Sequence, residues 1–194
     1  MDTRLLDDPP EKRENTFDVP PDEEERLALL HSLGILDTPP SESFDRLTSM
    51  LSNALDVPIS WVSFVDAERT WFKSNLGLGE AFEVHRNDSF CSVAIMPGQP
   101  DVFVVHDALA DPRFKHLAMV AGPPYIRFYA AAPIHMMHEG HLYKLGTVCV
   151  LDCEPRMNFN VKNKQMLLDM AAIVADEIEL FRGWASRIME ENNR

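Results

Sequence analysis

The sequence predicts an α+β domain in which one sheet carries its helices together on one face. Helical periodicity occupies both ends of the chain, strand-like runs rich in β-branched and aromatic residues fill the middle, and the two kinds of segment are grouped rather than alternating. Alternation is what a parallel sheet with crossover helices would need. With 194 residues and 45% hydrophobic content, the chain is long enough for one well-packed domain plus tails.

Residues 1–21 hold Pro9, Pro10 and Pro20 among many charges and few apolar groups, so a disordered acidic leader is expected there. From Asp22 the pattern changes. Asp22 is placed to cap a helix whose acidic first turn, Glu23 to Glu25, suits the positive end of the dipole. Leu27, Leu30 and Leu33 recur at helical spacing, and Gly34 is placed to stop the helix. After the turn at Thr38 to Pro40, Ser41 or Ser43 opens a second helix with Phe44, Leu47, Leu51 and Leu55 on one face, ended by Pro58.

Strand signals follow. Residues 59–65 and 70–74 read as a hairpin across the polar turn at Asp66 to Arg69. Residues 77–88 have no steady period and read as a mobile loop, leading into a short helix near Ser89 to Ile95. Further strands are expected at 102–105, 126–136 and 144–151. A long connection runs from Asp107 to Tyr125, and a hairpin tip lies around His138 to His141.

A long helix is predicted from about Asn160 to Glu191. In it Leu167, Met170, Val174, Glu177, Phe181, Trp184 and Ile188 step by threes and fours, a heptad seam broken by one glutamate. Such a seam fits either the protein's own sheet or a second chain; beyond Phe181 a second chain is expected. The domain is expected over 22–182, with the end of a dimerisation helix at 183–194.

The net charge of -13 repels nucleic-acid phosphates and anionic membrane surfaces, so neither is an expected partner. No run approaches the roughly 20 apolar residues of a membrane span, and the N-terminus lacks a secretory layout, so the cytoplasm is the expected compartment. Cys91, Cys149 and Cys153 are odd in number and in no metal-type spacing, which fits reduced thiols.

A series of short motifs narrows the reading. They are Leu33-Gly34-Ile35-Leu36-Asp37-Thr38-Pro39-Pro40, Phe44-Asp45, Pro58-Ile59, Val65-Asp66, Trp71-Phe72-Lys73, Gly77-Leu78, Ser89-Phe90-Cys91, Asp107-Ala108 and Asp111-Pro112-Arg113-Phe114. The run from Gly122 to Pro133, then Leu145-Gly146-Thr147-Val148-Cys149-Val150-Leu151-Asp152 and Pro155-Arg156, complete the set. Together, over residues 23 to 182, they resemble GAF domains at the front of bacterial and fungal signalling proteins. Gly122 to Pro133 is most similar to GAF domains of fungal-type hybrid histidine kinases.

The resemblance implies an antiparallel sheet of five or six strands. It also implies a helical bundle from both chain ends on one face and a loop-roofed small-molecule pocket on the other. In relatives such a domain precedes a histidine kinase, a nucleotide or diguanylate cyclase, or a PAS domain. No kinase nucleotide loop, phosphate-cradling glycine motif or catalytic metal motif occurs here. The expected role is therefore non-catalytic. The chain would be a dimerising sensor whose output lies in an absent part of the protein or in a separate partner.

The pocket candidates are Phe64, Trp71, Phe90, Cys91, Asp107, Arg127 and Tyr129, which could line a ligand site or equally fill it. Cys91 is placed where a ligand or thioether-linked chromophore could reach it, but Ser92 follows where bilin-carrying relatives usually have His. Covalent bilin is disfavoured. Cyclic nucleotide is disfavoured because the Asn-Lys-x-x-x-Phe-x-x-x-Asp-Glu pattern that accompanies it is absent. A thiol-dependent reduction of free methionine sulfoxide is an alternative, weakened because residues 77–90 carry no cysteine. Arg113 and Arg127 with Asp107 and Asp111 read as a lattice pinning the long connection, or as an arginine holding an anionic ligand. His135, His138 and His141 read as a solvated hairpin tip, because spacings of three on a strand place successive side chains on opposite faces, so no metal is expected. Ligand or redox occupancy near Phe90, Cys91, Arg127 and Tyr129 would shift the roof loops and pass the change along the last helix.

Overall fold

The structure, a computed structural model, describes residues 17–192, with side chains through Arg182. Residues 1–16 of the expected leader lie outside the described residues. So do the side chains of Trp184 and Ile188, and with them the expected dimer seam at 183–194. At the close of the leader Phe17 lays its ring against Phe114 and His116, with centroids 6.1 and 6.4 Å apart.

Helix α1 spans Glu23–Ser32. Asp22 occupies its N-cap position without a side-chain cap bond, in an arrangement the capping rule did not anticipate. Glu23 is held by Arg26 instead, at 2.8 and 2.9 Å. Helix α2 (Glu42–Leu55) follows, and it buries Phe44, Thr48, Leu51 and Leu55 as its period requires.

Strands β1 (Ile59–Val65), β2 (Arg69–Leu76), β3 (Glu83–His85), β4 (Phe103–Val105), β5 (Phe128–His138) and β6 (His141–Asp152) form one sheet of order β3-β2-β1-β6-β5-β4. All neighbours are antiparallel. Helix α3 (Phe90–Ala94) precedes β4, and the connection from β4 to β5 contains α4 (Ala118–Ala121). Three elements were not expected: β3 and a one-turn 3-10 helix at Arg86–Asp88, both within the segment 77–88 read as a mobile loop, and α4. A three-residue polar edge strand and a four-residue helix are too short to carry a period. At the hairpin tip His138 pairs with His141 across Glu139 and Gly140, both at positive φ (48° and 81°), the conformation a two-residue type I′ turn demands.

The sheet separates two cores. Even-numbered β1 residues Val62 and Phe64 face α1, α2 and α5 (Val161–Asn192), while Ile59, Trp61 and Val65 face α3, α4 and their loops. Helix α5 buries Leu167, Ala171, Val174 and Ile178 against the first core. Leu167 and Val174 are therefore core residues of the protein's own sheet and not seam residues. Met170 is half-buried and Phe181 is 40% exposed. A stripe stepping 167, 171, 174, 178 follows the 3.6 period of a straight helix on a sheet, whereas the predicted seam followed the 3.5 period of a coiled coil.

Candidate functional site

The motifs at Leu33 to Pro40 and at Trp71 to Lys73 meet in space. Lys73 Nζ, on β2, donates to Thr38 Oγ1 and to the Pro39 carbonyl, both at 2.7 Å, and sits over the rings of Phe44 and Trp71. Arg69 grips Asp37 through two bonds of 2.9 and 2.6 Å and reaches Glu83 at 2.7 Å. A cleft of about 280 Å³ opens beside this clasp, lined by Asp37, Thr38, Pro40, Trp71, Phe72, Lys73 and the exposed Phe82.

Phe64 and Trp71 belong to the helix-side core, with rings 6.4 Å apart in register-paired positions, so neither lies on the loop-covered face where they were expected. The cause is strand parity: a side chain on β1 changes face at every residue, and Phe64 follows Ser63. The expected site keeps Phe90, Cys91 and Tyr129 on the loop-covered face, and all three have no exposed surface. Phe90 and Tyr129 stack at 4.7 Å with 13° between their planes, and Phe90 also packs on Phe114 at 4.8 Å. Phe103 closes the group with an edge toward each of Phe114 and Tyr129. The aromatic side chains fill this space.

Beneath them lies a polar cluster built by four elements. Ser89 caps α3 by accepting from the Cys91 N–H, which fixes Cys91 over the sheet. From β5 the Tyr129 hydroxyl donates to Cys91 Sγ at 3.3 Å, and from β1 Ser63 Oγ donates at 3.5 Å. Ser63 and Thr147 of β6 share a bond of 3.1 Å, and the Cys149 thiol, two residues further along β6, donates to the Trp61 carbonyl at 3.9 Å. Burial disfavours a Cys91 thiolate, but donation from Cys149, Ser63, Thr147 and Tyr129 outweighs it, and the Cys91 pKa falls below that of a free thiol. Cys149 and Tyr129 move the other way, pushed up by burial and by the neighbouring thiol. Ser63, Thr147 and Cys149 were not among the candidates. Their signal was a hydroxyl or thiol isolated in an apolar strand run, Val62-Ser63-Phe64 and Gly146-Thr147-Val148-Cys149.

Asp107 and Arg127 do not join this cluster. The Asp107 carboxylate accepts from the Leu109 N–H at 3.0 Å, an ordinary turn contact. Arg127 Nη1 donates to the carbonyls of Val120, Tyr125 and Ile126. Of the expected lattice the structure forms the Arg113–Asp111 pair at 2.6 Å, between close neighbours in the chain. Arg127 holds its connection through carbonyls. Among the described residues, no group of three or more His, Cys, Asp or Glu is placed to hold a metal ion, and no helix is long and apolar enough to cross a membrane.

The chain is 37% identical to a cyclic di-GMP phosphodiesterase of Pseudomonas aeruginosa over 163 residues, 84% of this chain but only 27% of that enzyme's length. Its fold is similar to the GAF domain of a phosphoenolpyruvate-protein phosphotransferase from Coxiella burnetii, with a TM-score of 0.60, 16% identity, and coverage of 84% of this chain and 98% of that one. It is also similar to the free methionine-R-sulfoxide reductase of Neisseria meningitidis, with a TM-score of 0.57, 16% identity, and coverage of 82% and 90%. Identities this low speak for the fold alone. Residues 39–178 match the GAF domain family, and with the six-stranded antiparallel sheet flanked by helices this places the chain in that family.

Proposed function

We propose that this chain is a non-catalytic, cytoplasmic regulatory domain that dimerises along α5 and controls an output domain linked to it or bound by it. The observation that carries the reading is the outward face of α5, where Ile173, Leu180 and Phe181 are 46%, 69% and 40% exposed. Ile173 and Leu180 are seven residues apart, so they lie on one side of the helix. Apolar side chains repeated in this way are costly to leave in water, and a second copy of the helix would cover them. The relative of known activity supports a cyclic-dinucleotide enzyme as one output; a histidine kinase or nucleotide cyclase is the other class that the sequence motifs suggest. Non-catalytic action is supported by the burial of Cys91 and Cys149, since a thiol-dependent reductase needs cysteines its substrate can reach.

In this reading a small molecule enters between α3 and the sheet by parting Phe90 from Tyr129, and the change is passed to α5. A ligand achieves this only by binding the parted and stacked states unequally. The filled aromatic space favours a second reading, a purely structural dimerisation domain. Sedimentation velocity on the intact chain and on Leu180→Glu tests the dimer: the intact chain sediments as a dimer and the variant as a monomer. A monomeric intact chain, or an unchanged variant, removes the proposal. Native mass spectrometry of protein from its source separates the two readings, because a retained small molecule excludes the purely structural one.

A further inference from the structure

We infer that the cleft beside Lys73 is a binding site for an apolar α-amino acid, which gives its carboxylate to Lys73, its ammonium to Asp37 and its side chain to Phe82. The inference goes beyond the regulatory reading and depends neither on dimerisation nor on a ligand between α3 and the sheet. The space at Phe90 and Tyr129 is filled by their stacked rings, whereas this cleft of about 280 Å³ is open. Its volume lies near the lower end for small-molecule sites, which suits one amino acid better than a nucleotide.

Among the described residues the Lys73 ammonium has two acceptors, Thr38 Oγ1 and the Pro39 carbonyl; it carries three N–H donors, so one remains for a ligand. Lys73 is only 8% exposed, so a carboxylate that reached it would form a charge-assisted bond with little competition from water. Asp37 stands at the rim with its side chain 64% exposed. Two bonds from Arg69 fix its place and hold its carboxyl below the usual value. A carboxylate has about four acceptor positions, which leaves room for an ammonium. Asp37 also adjoins Thr38, which holds Lys73, so the two opposite charges are neighbours. Phe82 is 63% exposed beside Trp71, Phe72 and Pro40. Its segment is tied down: the Phe82 carbonyl accepts from the Phe72 N–H at 2.8 Å, and Asn75 donates to the Ala81 carbonyl at 2.8 Å. The fold therefore holds an apolar ring over the cleft, where an apolar side chain would take both surfaces out of water. A simple amine would leave Lys73 unmatched and a simple carboxylate would leave Asp37 unmatched. A zwitterion matches both and adds no net charge to a chain already at -13.

Amide NMR of the full chain, titrated with L-phenylalanine and with L-leucine, reads the site. Saturable shifts are expected at residues 37–40, 71–73 and 82, with none centred on Phe90 or Tyr129. L-Phenylalaninamide, which lacks the carboxylate, binds about tenfold more weakly, because it leaves the buried ammonium without its anion. N-Acetyl-L-phenylalanine, which lacks the ammonium, loses only about threefold, because Asp37 is exposed. Phe82→Ala weakens L-phenylalanine by about tenfold and leaves the rest of the spectrum unchanged, since the ring it removes is exposed. Lys73→Met abolishes the difference between L-phenylalanine and its amide. Three results overturn the proposal: no saturable shift with either amino acid, shifts centred on Phe90 and Tyr129, or binding that neither Phe82→Ala nor loss of the carboxylate weakens. The second of these would place the ligand at the site of the regulatory reading and leave that reading standing.

Discussion

Lys73 Nζ lies 2.7 Å from Thr38 Oγ1, and this one bond ties the loop after α1 to the second strand of the sheet. Lys73 is only 8% exposed, and burial pulls its pKa down, with Asp45 opposing that fall. The ammonium stays satisfied through Thr38 and the Pro39 carbonyl. Lys73→Met keeps the apolar stem over Phe44 and Trp71 but leaves that carbonyl without its donor. A loss of about 1–3 kcal/mol in chemical unfolding is expected. A neutral result would show that the loop holds its place without the clasp.

Glu23 sits between two buried guanidiniums, Arg26 and Arg86, which are 1% and 5% exposed. Burial disfavours the carboxylate, but hydrogen bonds from Arg26 and then Arg86 outweigh it and hold its pKa below the usual 4.5. A depressed folded-state pKa contributes stability above the unfolded value, lost as pH falls through the folded one. Stability should therefore decline below about pH 4.5 in the wild type. Glu23→Gln should show a flatter acid limb and a lower plateau at neutral pH, since both arginines lose their anion. Urea unfolding at pH 3 to 7 reads both; an unchanged acid limb in the variant would remove Glu23 from the explanation.

Gly146 allows β6 to approach β1. A Cβ there would meet the Ser63 carbonyl oxygen at 1.9 Å and Phe64 Cα at 2.8 Å, both backbone atoms that cannot swing aside. Gly146→Ala must push the central strands apart. A cost at or above the usual ~1–3 kcal/mol of an overpacked core is expected, read as a lowered Tm. The same shift moves Ser63 and Thr147, so faster alkylation of Cys91 should accompany it. A stable variant with a protected Cys91 would mean that the sheet accommodates the methyl.

Most of the fold was legible because its long elements carry periods. Helix α2 shows Phe44, Leu51 and Leu55 on one face, and β1 is a run of β-branched and aromatic residues. The site was harder to read, for two physical reasons. Faces of a buried strand cannot be told apart when both are apolar, so Phe64 and Trp71 were assigned to the wrong side while Ser63 and Thr147 went unnoticed. On α5 Ala171 and Ile178 form the buried stripe with Leu167 and Val174, but Met170 and Phe181 offered a rival stripe of larger side chains. Only the sheet's position decides between them.

Phe90→Ala tests whether the aromatic stack is a core or a gate. Phe90 is fully buried, stacked on Tyr129 and packed on Phe114, and its truncation removes both contacts at once. A phenylalanine that serves only as core should cost about 3–5 kcal/mol on truncation to alanine, since its neighbours relax only partly into the space. The vacated volume would then be apolar and able to take a small aromatic probe such as indole, which would restore part of the lost Tm. A residue held in place only until a ligand parts it from Tyr129 predicts a smaller loss, because the native state already visits an arrangement without the stack. A measured loss near 4 kcal/mol with rescue by indole therefore supports a packed core. A loss near 1 kcal/mol, with Cys91 alkylated no faster than in the wild type, points to a stack built to open.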